Sequence, residues 1–341
     1  ALNELSKQHF EGSSAAADLQ IASLETSQVR VPKAALQLEL KNQQANIQSF
    51  TAQINDRDQL DFHGLINLKE KLNFESKLTL GVHDAKTLTK FVKGNQEMPA
   101  QGSLQLEVSA SGSIQELKEK NFRNLKSDLQ LHSPGIEWGE GKLKGLAISV
   151  QLEKEIARIQ QLNIQLDEQQ GLSANGWVNL TEDMEFDAAL KAHFPKLTSL
   201  NPWMENFKQA PIESGALELD WNGSGKIKSK DVLGKAKLSL KNFKTKALPK
   251  PIELSLQTDH DLKTAQIAPL DFHFGAFHLQ LQASASEELL DVQTLKLSSQ
   301  EKIWLDGKIR IPLALQARKS RASSEKTLPI DLEREIVLFL H

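Results

Sequence analysis

The chain has no cysteine, which excludes disulfides, thiolate metal sites and cysteine nucleophiles but fixes no compartment. Long apolar runs are missing too: no stretch approaches the roughly 18 uninterrupted apolar residues that a membrane-spanning helix needs. The opening ALNELSKQHF lacks both the apolar centre of a signal peptide and an initiator methionine, so residue 1 is expected to lie inside a longer chain. Charge of one sign is absent as well. Against 44 acidic residues stand 41 basic ones, for a formal net charge of −3. That balance gives no electrostatic reason for nucleic acid or an anionic surface as main partner, and no nucleic acid is expected.

What is present is a chain of 341 residues, 39% hydrophobic and 25% charged, able to bury a core and without the composition of disorder. Its strongest signal is alternation with a period of two. In ALQLELKN (35 to 42), Leu36, Leu38 and Leu40 share a face, with Gln37, Glu39 and Lys41 opposite; a helix would scatter those leucines. The pattern returns in QLDFHGLINL, LNFESKLTL, GSLQLEVSAS, LAISVQLE, MEFDAALKA, GALELDWNG, KAKLSLKN, PIELSLQT and FHLQLQAS, bounded by turn residues. The fold class is therefore mainly β, an antiparallel sheet array. Two short helices are expected. One is DAKTLTKFV (84 to 92), capped by Asp84 with Leu88, Phe91 and Val92 on one side; the other is NPWMENF, with Asn201 as cap and Pro202 at the first helical position.

The sequence also repeats. DFHGLINLKEKLNFESKLTL aligns without a gap with SANGWVNLTEDMEFDAALKA, at the offset that carries Gly64 onto Gly176. The same offset pairs Leu36 with Ile148, Leu40 with Leu152, Ile47 with Ile159, Phe50 with Leu162, Leu68 with Leu180, Phe74 with Phe186, Leu78 with Leu190 and Leu88 with Leu200. After one inserted residue, Gly102 stands opposite Gly215 and Gly112 opposite Gly225. The organisation reads as a lead-in over 1–30, a first β repeat over 31–142, a second over 143–254, and a partial third over 255–341 with drifting spacing, the array being cut at both ends.

About fifteen half-apolar strands would present far more apolar area than the few hundred Å² that soluble monomers tolerate. The apolar face must therefore pack on a second sheet, close into a barrel, or curl into a trough that holds an apolar ligand. The opposite face, rich in Gln, Lys, Ser, Asn and Glu, reads as solvated surface.

The repeated order of alternating strand, strand glycine, second alternating strand and short leucine-bearing helix resembles the AsmA/TamB superfamily. The stretches DFHGLINLKEKLNFESKLTLGVHDAKTLTKF and SANGWVNLTEDMEFDAALKAHFPKLTSLNPW carry the resemblance, which extends over most of residues 30 to 315. It implies an elongated, curled β groove in the periplasm of a Gram-negative bacterium. That groove would be tethered to the inner membrane by an anchor outside this sequence and would serve outer-membrane biogenesis by moving phospholipid or another acyl lipid between membranes. Other inner- or outer-membrane protein partners are left open. The residues expected to line such a groove are Leu36, Leu38, Leu40, Leu60, Phe62, Ile66, Leu68, Phe74, Leu78 and Leu80. In the second copy they are Ile148, Val150, Leu152, Val178, Leu180, Phe186 and Leu190. The alternative is that these side chains pack on one another in a dry interior, as in a structural or adhesive repeat of a secreted surface protein.

No enzyme chemistry stands out, and no catalytic residue, cofactor or metal is expected. Asp259, His260 and Asp261 in TDHD, with Asp271, His273 and His278 in DFHFGAFH, match no ligand spacing. Phe272 and Phe274 share a strand face opposite His273, and Gly275 and Ala276 reverse the chain before His278, so these are read as surface histidines. The glycines of WGEGKLKG read as turn residues, because no helix follows to bind phosphate. Of Trp138, Trp177, Trp203, Trp221 and Trp304, which a carbohydrate-binding module would use for stacking, Trp177, Trp203 and Trp221 read as packing positions of varied size. QARKSRASSEK reads as a loop and PIDLEREIVLFLH as the start of another strand or helix.

Overall fold

The structure, a computed structural model, describes residues 14–25, 30–68, 72–86, 100–203, 211–229, 231–260, 264–286, 289–300, 302–312 and 337–340. Twenty strands belong to one antiparallel sheet. The mainly β, antiparallel, repeat-like array expected from the alternation is therefore what is found. The chain divides into two compact units, Ala1–Glu185 and Phe186–His341.

The first unit opens with β1 (Ser14–Ile21), and β2 (Leu24–Glu25) and β3 (Arg30–Val31) make a separate small ribbon. A meander follows: β4 (Lys33–Lys41), β5 (Gln44–Gln53), β6 (Gln59–Asn67), β7 (Asn73–Val82), β8 (Ala100–Ser113) and β9 (Lys126–Trp138). β1 pairs with β4, and each later strand with the next. The far side of β9 takes both β10 (Gly141–Leu143) and β11 (Gly145–Glu153), after which come β12 (Ile156–Gln165) and β13 (Gly171–Asn179).

The second unit holds β14 (Glu185–Phe194), β15 (Ile212–Lys226), β16 (Asp231–Thr245), β17 (Ile252–His260), β18 (Thr264–Phe274), β19 (Phe277–Ser286), β20 (Leu289–Ser299), β21 (Lys302–Pro312) and β22 (Val337–Leu340). From β15 onward each strand again pairs with its sequence neighbour. β22 falls in PIDLEREIVLFLH; the basic stretch before it lies outside the described residues.

The internal repeat is reproduced strand by strand. The offset that carries Gly64 onto Gly176 also carries both ends of β4, β5, β6 and β7 onto the ends of β11, β12, β13 and β14. It carries the start of β8 onto the start of β15, which then runs one residue further than its counterpart. The turns explain why. Asn42 and Gln43 have φ of 50° and 61°, and their equivalents Lys154 and Glu155 have 51° and 61°. Two successive left-handed residues make the tight hairpin whose twist matches the flanking strands. The ladder of β4 on β5 breaks register between Gln37 and Leu38, and that of β11 on β12 breaks at the equivalent Ser149 and Val150. Such a bulge sets which side chains face inward along the rest of the strand. Beyond β16 no single offset holds: β17 to β20 follow β11 to β14 at a shorter distance that drifts from strand to strand.

The helices differ from expectation. Asp84 accepts a hydrogen bond from the Lys86 N–H at 3.0 Å, but the rest of the segment to residue 92 lies outside the described residues. Around Asn201 the backbone is a 3-10 helix over Leu197–Trp203, with Pro202 inside it rather than at its first position. Asn201 lies inside this 3-10 helix rather than capping it, and residues 204–207 of the expected segment lie outside the described residues. The Asn201 amide side chain instead bonds both the C=O and the N–H of Ile212, each at 2.9 Å, tying the turn to the start of β15. One short helix was not foreseen: α1 (Ile114–Lys118), where the hydroxyl of Ser113 accepts from the Glu116 N–H at 3.4 Å as an N-cap.

Candidate functional site

The apolar residues assemble into continuous rungs because antiparallel partners directly opposite one another share a face. Across the first unit one rung reads Leu19, Leu36, Phe50, Phe62, Leu78, Val108, Leu129, Val150 and Ile159. The rung beside it reads Ile21, Ala34, Ala52, Leu60, Leu80, Leu106, Leu131, Ile148 and Leu162. No polar residue interrupts either. In the second unit the same construction runs Leu217, Leu240, Leu254, Phe272, Leu279, Leu297 and Leu305, with Leu219, Leu238, Leu256, Leu270, Leu281 and Leu295 alongside.

Of the expected lining, Leu36, Leu38 and Leu40 lie on β4, Leu60, Phe62 and Ile66 on β6, and Phe74, Leu78 and Leu80 on β7. Ile148, Val150 and Leu152 lie on β11, Val178 on β13, and Phe186 and Leu190 on β14. Leu68 and Leu180 sit just past the ends of β6 and β13, where their N–H groups bond Gln43 and Glu155 at 2.8 and 2.7 Å. They are turn anchors in the ladder rather than rung members. All of these side chains are half-buried and none is fully buried. Phe50, Leu106, Val108, Leu129 and Leu131 join the rungs beside the expected residues, and the alternation in GSLQLEVSAS is the sequence signal that places Leu106 and Val108 on one face.

Along the two rungs of the first unit full burial is reached only at the alanines Ala34 and Ala52. Among the described residues the buried hydrophobic side chains are Ala34, Ala52, Val82, Ala192, Phe194, Leu197, Ile212, Ala283 and Val292. They lie towards strand ends or on the 3-10 helix rather than along the leucine-rich middles. A face sandwiched against a second layer would exclude water from the central strand positions as well. Here those positions keep part of their surface in solvent. Two depressions of about 440 and 510 Å³ in the first unit are lined mainly by polar residues, including Glu75, Ser109, Ser111 and Lys126. Only Leu152 and Phe74 of the expected lining reach them.

The opposite face carries the charge. Lys126 pairs with Glu153 at 3.1 Å and Lys144 with Glu168 at 2.6 Å. Hydrogen bonding to these lysines, then their positive charge, holds the Glu153 and Glu168 carboxyls below the ordinary glutamate range. Trp177 also lies on this side, opposite Arg158, and is 37% exposed, so it is not the packing position the sequence suggested. Trp221 does join the apolar face opposite Ala236 and is half-buried. Trp203 is half-buried, with an indole N–H that finds no acceptor among the described residues. Gly139, at φ 59°, makes the turn between β9 and β10 as its sequence implied.

Of the scattered histidines and aspartates, three come together. Asp271 and His273 are alternate residues on β18, and His278 on β19 stands directly opposite His273. Asp259 instead pairs with Lys235 at 3.1 Å, His260 sits at the end of β17, and Asp261 lies outside the described residues. Comparison with protein-family models, with curated proteins and with solved structures finds no match.

Proposed function

We propose that this chain is a non-enzymatic lipid-handling protein whose apolar sheet face shields the acyl chains of phospholipid or a related lipid from water. The observation behind the reading is the pair of unbroken apolar rungs in the first unit, whose leucine and phenylalanine side chains from β4 onward remain half-buried. A face built this way has unspent apolar contact to offer. Moving a lipid tail into water costs about 0.8 kcal/mol per methylene, or roughly 12 kcal/mol for a sixteen-carbon chain, and apolar rungs would offset most of that cost. Acyl chains would lie against Leu36, Phe62, Leu78, Ile148 and Val150, with the headgroup left in solvent. The mechanism is lining rather than catalysis. Taken with the AsmA/TamB-like repeat, the reading has the protein work in the periplasm, carrying lipid between inner and outer membrane from a tether outside this sequence.

The test is native mass spectrometry with lipid extraction on the purified chain, comparing wild type with the double variant Leu78→Glu, Leu190→Glu. Phospholipid that copurifies with wild type and is lost from a variant of unchanged circular dichroism supports the proposal. A folded wild type that stays lipid-free after incubation with phospholipid vesicles overturns it in favour of a structural or adhesive repeat.

A further inference from the structure

The cluster on the second unit's polar face carries chemistry of its own. The β18–β19 hairpin closes through Gly275, at φ 61°, and Ala276, with Phe274 opposite Phe277. One step further from the turn, His273 faces His278, and their rings stack at 3.9 Å with 13° between planes. Two residues back on the same face, the Oδ1 of Asp271 meets the Nε2 of His278 and lies 3.6 Å from the Nε2 of His273. A single carboxylate oxygen thus sits between two imidazole nitrogens, and one ligand atom from each residue lies within 4.8 Å of the others. Around a tetrahedral zinc ion, with metal–ligand bonds of about 2.0–2.1 Å, donor atoms stand about 3.3–3.4 Å apart. To share an ion the two imidazoles must turn out of their stack so that their in-plane nitrogen lone pairs converge, a side-chain rotation that leaves the hairpin backbone in place.

We infer that Asp271, His273 and His278 form a binding site for a first-row divalent transition-metal ion, with Zn²⁺ as the first candidate. Two neutral imidazoles and one carboxylate are the donor set such ions favour over Mg²⁺ or Ca²⁺, which prefer oxygen alone. Three protein ligands leave coordination open for water or a nearby group: Glu253 stands opposite His273 on β17, and Ser298 opposite His278 on β20. Asp271 and His273 alternate with Phe272 and Phe274, so the site occupies the face opposite the apolar rungs. It is independent of the lipid proposal. The D-x-H-x4-H spacing matches no linear motif because strand alternation and the hairpin register, rather than a helix or a knuckle, bring the ligands together.

The test is calorimetric titration of the chelator-treated, tag-free chain with ZnCl₂ at neutral pH. Wild type is expected to bind one equivalent at this site. Asp271→Asn, His273→Gln and His278→Gln are each expected to weaken that binding by at least about tenfold, while His63→Gln and His260→Gln leave it unchanged. Circular dichroism and melting of each metal-free variant show whether the hairpin still folds, and Asp271→Asn, which keeps the shape of the side chain, is the decisive comparison. Absence of saturable binding in wild type, or binding that survives all three substitutions, overturns the assignment and leaves a hydrogen-bonded His–Asp–His cluster.

Discussion

Asp58 and Gln170 occupy equivalent places in the two copies, each buried at the same turn of its repeat, and each is held by the residue three positions earlier. In the first copy the Asn55 amide donates to the Asp58 carboxylate at 2.6 Å, while its own carbonyl accepts from the N–H groups of Arg57 and Asp58. In the second copy Asp167 takes the place of Asn55, accepting from Gln169 and Gln170 N–H and from the Gln170 amide. Acid and amide have changed places within one hydrogen-bonded frame. Asp58 also accepts from the His83 N–H at 2.7 Å; the residue at the equivalent position, Pro195, has no N–H to donate.

Asp58→Ala should therefore destabilise the first unit, because it removes a buried carboxylate that accepts from both the Asn55 amide and the His83 N–H. The expected loss is about 1–3 kcal/mol, read as a lower midpoint in urea unfolding. Asp58→Asn, which keeps an oxygen in position, should cost less.

The turn at Asp167 should loosen in acid. The hydrogen bond from Gln170, then the Gln169 N–H, holds its carboxyl below the ordinary aspartate range. A folded value lowered in this way stabilises the turn fully above the ordinary range and ceases to do so as pH falls through the lower folded value. Amide exchange at Gln169 and Gln170 should speed up across that acid window, and Asp167→Asn should make it insensitive to pH there.

Glycine is required at Gly102 and dispensable at Gly81. Gly102 has φ 114°, and a Cβ there would stand 2.2 Å from the Gly135 carbonyl oxygen, whereas a Cβ on Gly81 meets nothing within 4 Å. Gly102→Ala is expected to lose at least about 1–3 kcal/mol from backbone strain alone, and Gly81→Ala to leave the melting temperature nearly unchanged or raise it slightly.

Leu78→Ala tests the open face directly. A fully buried leucine costs about 2–5 kcal/mol on truncation; a half-buried one should cost less than about 2 kcal/mol. In chemical unfolding without lipid the loss should stay below that figure, and phospholipid should raise the melting temperature of wild type more than that of the variant.

Much of this was legible in the sequence. Leu36, Leu38 and Leu40 announce their shared face through alternation alone, and the constant offset between the copies anticipated strand limits that the backbone repeats at both ends of β4 to β7. Cross-strand partners were harder to read. Leu129 and Leu131 join the rungs through pairing with Val108 and Leu106, and no periodicity within one strand reveals its register against the next. Asn201 was misread because its side chain serves a distant backbone, at Ile212, rather than its own helix. The grouping of Asp271, His273 and His278 is not legible in their spacing, since His278 joins the other two only across a hairpin.

Within each unit nearly every strand finds its partners among the strands just before and after it in the chain. Contacts of such short sequence separation favour fast, stepwise folding, in which any hairpin can act as the nucleus and its neighbours add in turn. Length then becomes an adjustable quantity: inserting or deleting a whole hairpin changes how far the rungs extend across the sheet without asking any distant residue to repack.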